Sequence, residues 1–329
     1  MLTSLVLPLA LSSSLAASIA LPGGPPVGMD YLAYDAANGR VWVPAGNTGN
    51  VDVIDVATGK VTPVGGFPTA PSTRPGRPNR GPSSAAVGDG QIWIGDRADD
   101  SVCAVDARTL ARGRCIHLPS APDGLAYVAA THELWVTTPR EQSVTVVDVS
   151  GKSPGPPAAI KVPGNPEGVA VDAGRGLFYT NLEDKDRTLE IDVRRREVVA
   201  SWPAGCNSEG PRGLALDPGR RLLFVACTDG AVAQDLARRG KPAGRLKTGG
   251  GVDNIDYAGA PGLLLVASGR DATLTTARVS PAGALTAIGS APTAPGARCV
   301  VAASDGTGYV ADSAGGRLIV VKPPPAPPR

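Results

Sequence analysis

The sequence predicts an all-β fold, a seven-bladed β-propeller of four-stranded antiparallel blades, and three observations predict it. Short apolar runs alternate with turn formers along the whole chain, each run too short for an amphipathic helix. The pattern recurs seven times, most often at intervals of about 40 to 45 residues, the period of a propeller blade. One position in each repeat is aromatic in six cases out of seven.

Composition agrees. The 329 residues include 42 glycines and 32 prolines, and charged residues are 19% of the chain, which suits many short strands and turns better than a helical bundle. The formal net charge of +2 creates no strong field, so neither nucleic acid nor an anionic membrane is an expected partner.

Residues 1–17, MLTSLVLPLALSSSLAA, read as a signal peptide, with an apolar core and small residues before the cut. The segment is interrupted by serines and too short for a membrane span, so no span is expected. Export to a secreted or periplasmic location in a bacterial envelope follows, although no basic residue precedes the apolar core. Residues 18–322 form the propeller and 323–329 a proline-rich tail without strand character.

The repeat is clearest in Glu167 to Ala204. Its four apolar runs, Val169 to Val171, Leu177 to Tyr179, Leu189 to Ile191 and Val198 to Trp202, are separated by polar turns and form a meander of strands a, b, c and d. Setting this unit against the chain places Asp30, Ser83, Asp123, Glu167, Arg212, Asp253 and Arg298 just before the seven a strands. The recurring b-strand position is then Trp42, Trp93, Trp135, Phe178, Phe224, Leu265 and Tyr309. Such side chains pack between blades, each contributing roughly 2 to 3 kcal/mol.

Between blades one and two, the connection Phe67 to Pro82 is long and carries Arg74, Arg77 and Arg80, a solvated loop that can also act as a basic flap. The arginines at 194–196 and 238–239 fall in c–d turns on the opposite face, as solvated hairpin tips. Blade seven ends at Val321 without a d strand. The match of Ile19-Ala20-Leu21-Pro22 to Ile116-His117-Leu118-Pro119 and Ile160-Lys161-Val162-Pro163 predicts that the N-terminal segment supplies it and closes the ring.

Asn181, Val53-Ile54-Asp55 and Thr58-Gly59-Lys60 carry a further pattern, a Tyr-Val-Thr-Asn-like b strand, a Val-x-Val-Ile-Asp c strand and an Ala-Thr-Gly-Lys turn. In these motifs the chain resembles the YVTN or YncE-like propeller family across residues 18–322. The resemblance implies the propeller fold and export. Its motifs are structural and imply no activity.

Function must come from residues that differ between blades at equivalent positions. Residues just before each a strand ring the channel mouth, so Asp30, Asp123, Glu167, Arg212, Asp253 and Arg298, with Asn254, are the candidate ligand-binding set. The b–c loops offer a second tier, Asn47, Asp96, Asn181 and Asp312, together with Arg140, Asp229 and Arg270. A polar pocket for a small ligand or protein is the leading expectation. Alternatives are a metal-assisted hydrolase or lactonase using the acidic ring, and a structural envelope component. Calcium suits carboxylates and amides, but Arg212 and Arg298 in the same ring repel a cation, so no cofactor or metal is assigned.

Neither histidine falls at the mouth, His117 being in a d strand and His132 in an a–b turn, and no nucleophile elbow or phosphate loop stands in the right context. No catalytic residue is assigned, and a monomeric, non-catalytic binding scaffold is expected. Five cysteines in an exported chain suggest two disulfides. Cys103–Cys115 and Cys206–Cys227 are the expected pairs, with Cys299 free and Cys206–Cys299 as an alternative.

Overall fold

The computed structural model describes residues 16–325 apart from 74, 77, 152–154, 208 and 209. Residues 1–15 of the expected leader, Arg74 and Arg77 of the expected flap and residues 326–329 of the tail lie outside the described residues.

The chain forms seven four-stranded antiparallel sheets. Six are consecutive meanders. Blade four, for example, comprises Pro166–Asp172, Leu177–Leu182, Arg187–Asp192 and Glu197–Pro203. The seventh is built from both ends of the chain: Val300–Ala302, Gly308–Asp312 and Arg317–Val321, completed by Ala16–Ala20. That last strand pairs antiparallel with Arg317–Val321, Ala16 opposite Val321 and Ala20 opposite Arg317.

The closing strand thus starts three residues earlier than the sequence match implied, and Ala16 and Ala17 of the expected leader belong to it. Its continuation stays tied to blade seven, with Leu21 N donating to Gly316 O at 2.9 Å and Val27 N to Ser313 O at 2.9 Å. Leu21 and Val27 are both buried in the core between blades seven and one.

A blade buries its two faces only against its neighbours, and the core is accordingly divided. Seven hydrophobic clusters among the described residues each join one pair of adjacent blades. The aromatic position of the b strands supplies much of this packing. Trp42 fills the interface of blades one and two, and Trp93 that of blades two and three.

At this position blade four differs from the sequence alignment by one residue. Strand register pairs Ala33 with Trp42, Ala86 with Trp93, Ala126 with Trp135 and Ala215 with Phe224, and in blade four it pairs Ala170 with Tyr179. Tyr179 is therefore the equivalent residue, facing blade five, while Phe178 points back to blade three and meets Trp135 at 5.0 Å between ring centroids. A slip of one residue reverses the face, because side chains alternate along a strand.

Two disulfides are present, Cys103–Cys115 and Cys206–Cys227, and Cys299 is free and buried. The first links directly opposed residues of strands c and d in blade two. The second joins the connection before blade five to the end of its b strand. Among the described residues no helix is long and apolar enough to cross a membrane.

Candidate functional site

The inner strands deliver charged side chains to the channel mouth through a recurring backbone irregularity. Register shifts fall between Pro82 and Ser84, Pro166 and Val169, Pro211 and Leu214, and Val252 and Ile255. A bulge re-aims the residue inside it. The residues inside these four are led by Ser83, Glu167, Arg212 and Asp253.

Neighbouring inner strands approach closely at this point, and glycine makes the approach possible. A Cβ on Gly168 would stand 2.6 Å from Arg212 O, and one on Gly124 would stand 2.8 Å from Glu167 O. Blades three, four and five share the run Pro-charged-Gly here: Pro122-Asp123-Gly124, Pro166-Glu167-Gly168 and Pro211-Arg212-Gly213.

Six of the seven residues expected to bind ligand, Asp30, Asp123, Glu167, Arg212, Asp253 and Arg298, line one cavity of about 490 Å³. Arg97, Glu183, Arg80 and Arg140 line it as well. Asn254 does not. Its Oδ1 accepts from Ile255 N at 3.1 Å, and the side chain packs over Gly213, where a Cβ would meet that oxygen at 2.2 Å.

The four second-tier residues are also absent from the lining and are occupied in the scaffold. Asn47 accepts from Gly28 N at 2.7 Å and donates to Pro26 O at 2.9 Å. Asn181 donates to Arg212 O at 2.7 Å and accepts from Thr188 Oγ1 at 2.8 Å, so it tethers the backbone of a ring residue. Asp312 holds Gly315 N and the Arg317 guanidinium, and Asp96 is fully buried with one carboxyl oxygen unpartnered.

Arg97 and Glu183 are lining residues that sequence reasoning missed, and Arg97 makes the more extensive contacts. It follows Asp96 in the b–c loop of blade two and reaches across the mouth, 2.9 Å from Asp30 Oδ2, while the same Nη2 bonds the Asp123 carboxylate and Nε donates to Pro122 O at 3.1 Å. Burial opposes its charge, but Asp123 and Asp30 outweigh burial and hold it protonated. Nothing in the repeat pattern marks it, because its role depends on reach rather than on a ring position.

Arg298 and Arg212 pair with one carboxylate each. Arg298 Nε lies 3.3 Å from Asp253 Oδ2, and Arg212 bonds Glu183. Burial raises Asp123 to about 6, against the pull of Arg97, and it raises Asp253, assisted by Asp30. The Glu167 carbonyl accepts from Thr137 Oγ1 at 3.1 Å, but its carboxyl has no hydrogen-bond partner among the described residues. Burial first, then Asp123, Asp253 and Asp30, push it well above the carboxylate range, favouring the protonated acid. Its side chain is half-buried and lines the cavity.

Cys299 Sγ lies 3.7 Å from both Asp30 Oδ1 and Asp253 Oδ2, and burial with these carboxylates raises the thiol well above its ordinary range. Asp30, Asp253 and Cys299 bring three potential metal-ligand atoms within 4.8 Å of one another, but Arg97 and Arg298 already pair with the two carboxylates. His117 and His132 do not line the cavity: His117 Nδ1 is 3.3 Å from Asp99 O, and His132 Nδ1 is 2.8 Å from Tyr127 Oη. The arrangement offers fixed donors, fixed acceptors and one acid pushed toward its protonated form around a small opening, which is suited to holding a polar group.

These features define a seven-bladed β-propeller with a charged channel-mouth cavity. No family model and no curated protein matches the chain significantly. Solved structures resemble it in fold. A chain of a mitotic checkpoint complex has a TM-score of 0.76 at 15% identity, covering 98% of this chain and 95% of that one. A chain of Kuenenia stuttgartiensis hydrazine synthase has a TM-score of 0.75 at 15% identity, covering 92% and 97%. A streptogramin B lyase has a TM-score of 0.73 at 10% identity, covering 94% and 97%. At such identities the likeness concerns the fold alone.

Proposed function

We propose that this protein is an exported, non-catalytic binding scaffold whose channel face holds a small polar ligand. The observation that carries the reading is the Glu167 carboxyl, half-buried and without a hydrogen-bond partner among the described residues, in a cavity of about 490 Å³ rimmed by guanidiniums. A partly desolvated polar group without a partner is open to a hydrogen bond from a ligand group, which binding would supply. The cavity volume falls in the range of small-molecule sites, roughly 300 to 1,000 Å³.

Export is supported by the two disulfides, which persist in oxidising compartments, and by the apolar N-terminal segment. The function is tested by equilibrium dialysis of the full chain against a mixture of small polar metabolites, read by mass spectrometry. The comparison is with Ala121→Trp, which fills the mouth without removing a charge. Enrichment by the parent chain that disappears in the variant is expected. No enrichment, or equal enrichment by both, overturns the reading.

A further inference from the structure

A second depression opens beside the central cavity, above blades five to seven. It has a volume of about 450 Å³ and is lined by Arg212, Arg270 and Arg298 against a single carboxylate, Asp253. Two of these arginines have partners, Arg298 in Asp253 and Arg212 in Glu183. Arg270 has no carboxylate within ion-pair distance among the described residues, and its side chain is exposed.

The surrounding backbone is shaped around these side chains. A Cβ on Gly250 would come within 3.0 Å of Arg270 Nη1 and 3.4 Å of its Cδ, and one on Gly269 within 3.0 Å of Arg298 Cβ. Glycine at both positions lets the arginine stems lie against bare backbone. The loops are cross-linked by hydrogen bonds, Arg270 N to Gly250 O at 2.9 Å, Gly269 N to Gly251 O at 3.2 Å and Gly296 N to Gly269 O at 2.7 Å. Asp271, the acid nearest in sequence, accepts from Gly250 N at 3.0 Å and forms no ion pair with Arg270.

We propose that this groove is an oxyanion subsite, with Arg270 as its principal donor and Arg298 beside it, for a carboxylate or phosphoryl group carried by the ligand. The inference rests on the binding reading above and specifies its ligand class. Guanidinium presents planar, paired donors matched to such oxyanions. Arg270, exposed and without an ion pair among the described residues, is the guanidinium of the groove left to meet an oxyanion. The groove shares Arg212, Asp253 and Arg298 with the central cavity, so one molecule can place its oxyanion here and its remainder over the channel.

The test titrates the full chain with inorganic phosphate and, separately, with succinate at low ionic strength, by calorimetry and thermal shift, with chloride as control. Variants are Arg270→Ala, Arg270→Glu and, on the opposite face, Arg195→Ala. At least one of the two oxyanions is expected to bind, with affinity falling about tenfold in Arg270→Ala, further in Arg270→Glu, and unchanged in Arg195→Ala. The arm that binds distinguishes phosphoryl from carboxylate recognition. Binding of neither, or binding that Arg270→Ala leaves intact, overturns the subsite. Dialysis enrichment confined to neutral or cationic compounds would also overturn it while the channel-face reading stood.

Discussion

Arg97 and Asp30 lock blades two and one together across the channel mouth, guanidinium Nη2 to carboxylate Oδ2 at 2.9 Å, with Asp123 of blade three on the same nitrogen. One cation therefore compensates two desolvated acids. Removing one partner of such a group leaves the other charges buried and unpaired, at a cost that exceeds the value of the bond itself. Arg97→Ala is expected to lower stability by about 2 to 4 kcal/mol in urea denaturation at neutral pH. Arg97→Lys, which retains the charge without the planar fork, should fall between. A loss under about 0.5 kcal/mol would show that the mouth is screened like an ordinary surface.

The raised acids predict a chain more stable in mild acid than at neutrality. Burial raises Asp52 and Asp96 to about 7 each and Asp123 to about 6, and it also raises Glu167, Asp253 and Asp256. In the window from the ordinary carboxylate range, near 4, to about 7, the folded chain binds more protons than the unfolded chain, so stability falls as pH rises. Turn hydrogen bonds from Thr58, Thr109 and Ser150 lower Asp55, Asp106 and Asp148, whose contribution is lost only below that window. The denaturation midpoint should be higher at pH 5 than at pH 7.5. Asp52, with neither carboxyl oxygen hydrogen-bonded, isolates the effect. Asp52→Asn is expected to flatten the profile and to add about 1 to 2 kcal/mol at pH 7.5. A midpoint rising from pH 5 to pH 7.5 would contradict the assignment.

The ring of Asp30, Asp123, Glu167, Arg212, Asp253 and Arg298 was legible in the sequence because the repeat alone sets where each inner strand begins. The closing strand was legible for a related reason: a blade lacking strand d and an unassigned strand at the other terminus answer each other. What depends on the third dimension was not. Phe178 and Tyr179 are adjacent buried aromatics on opposite faces, and only register shows which is equivalent to Trp42. Arg97 belongs to the mouth because its side chain spans two neighbouring blades, a distance no repeat encodes. Asn181 and Asn254 sit near ring residues in the alignment, yet their amides are taken up by backbone partners.

Ring closure by the N-terminal strand sets the third expectation. A chain beginning at Gly28 loses the five residues paired with Arg317–Val321 and the buried side chains of Leu21 and Val27. Burial of two such side chains contributes about 2 kcal/mol each, and the exposed edge of blade seven invites pairing with other chains. This shortened chain should melt at least about 10 °C below one retaining residue 16 onward, and it should aggregate at lower concentration in light scattering. Equal melting of the two would mean that blade seven is stable with three strands.

The cysteines give the last expectation, because the free thiol and the two disulfides respond differently to alkylation. Native protein should take up no label, since the only free thiol, Cys299, is buried and held protonated between Asp30 and Asp253. Denaturation without reductant should expose that one thiol, and reduction should expose all five. The bridges close segments with sequence separations of 12 and 21 residues. Constraint of the unfolded chain by loops of that size is worth about 3 kcal/mol each. Reduced protein should therefore unfold at lower urea, with Cys206→Ser/Cys227→Ser and Cys103→Ser/Cys115→Ser each accounting for part of the loss. Three or more labelled thiols before reduction would contradict the pairing, and rapid labelling of native protein would place Cys299 outside the core.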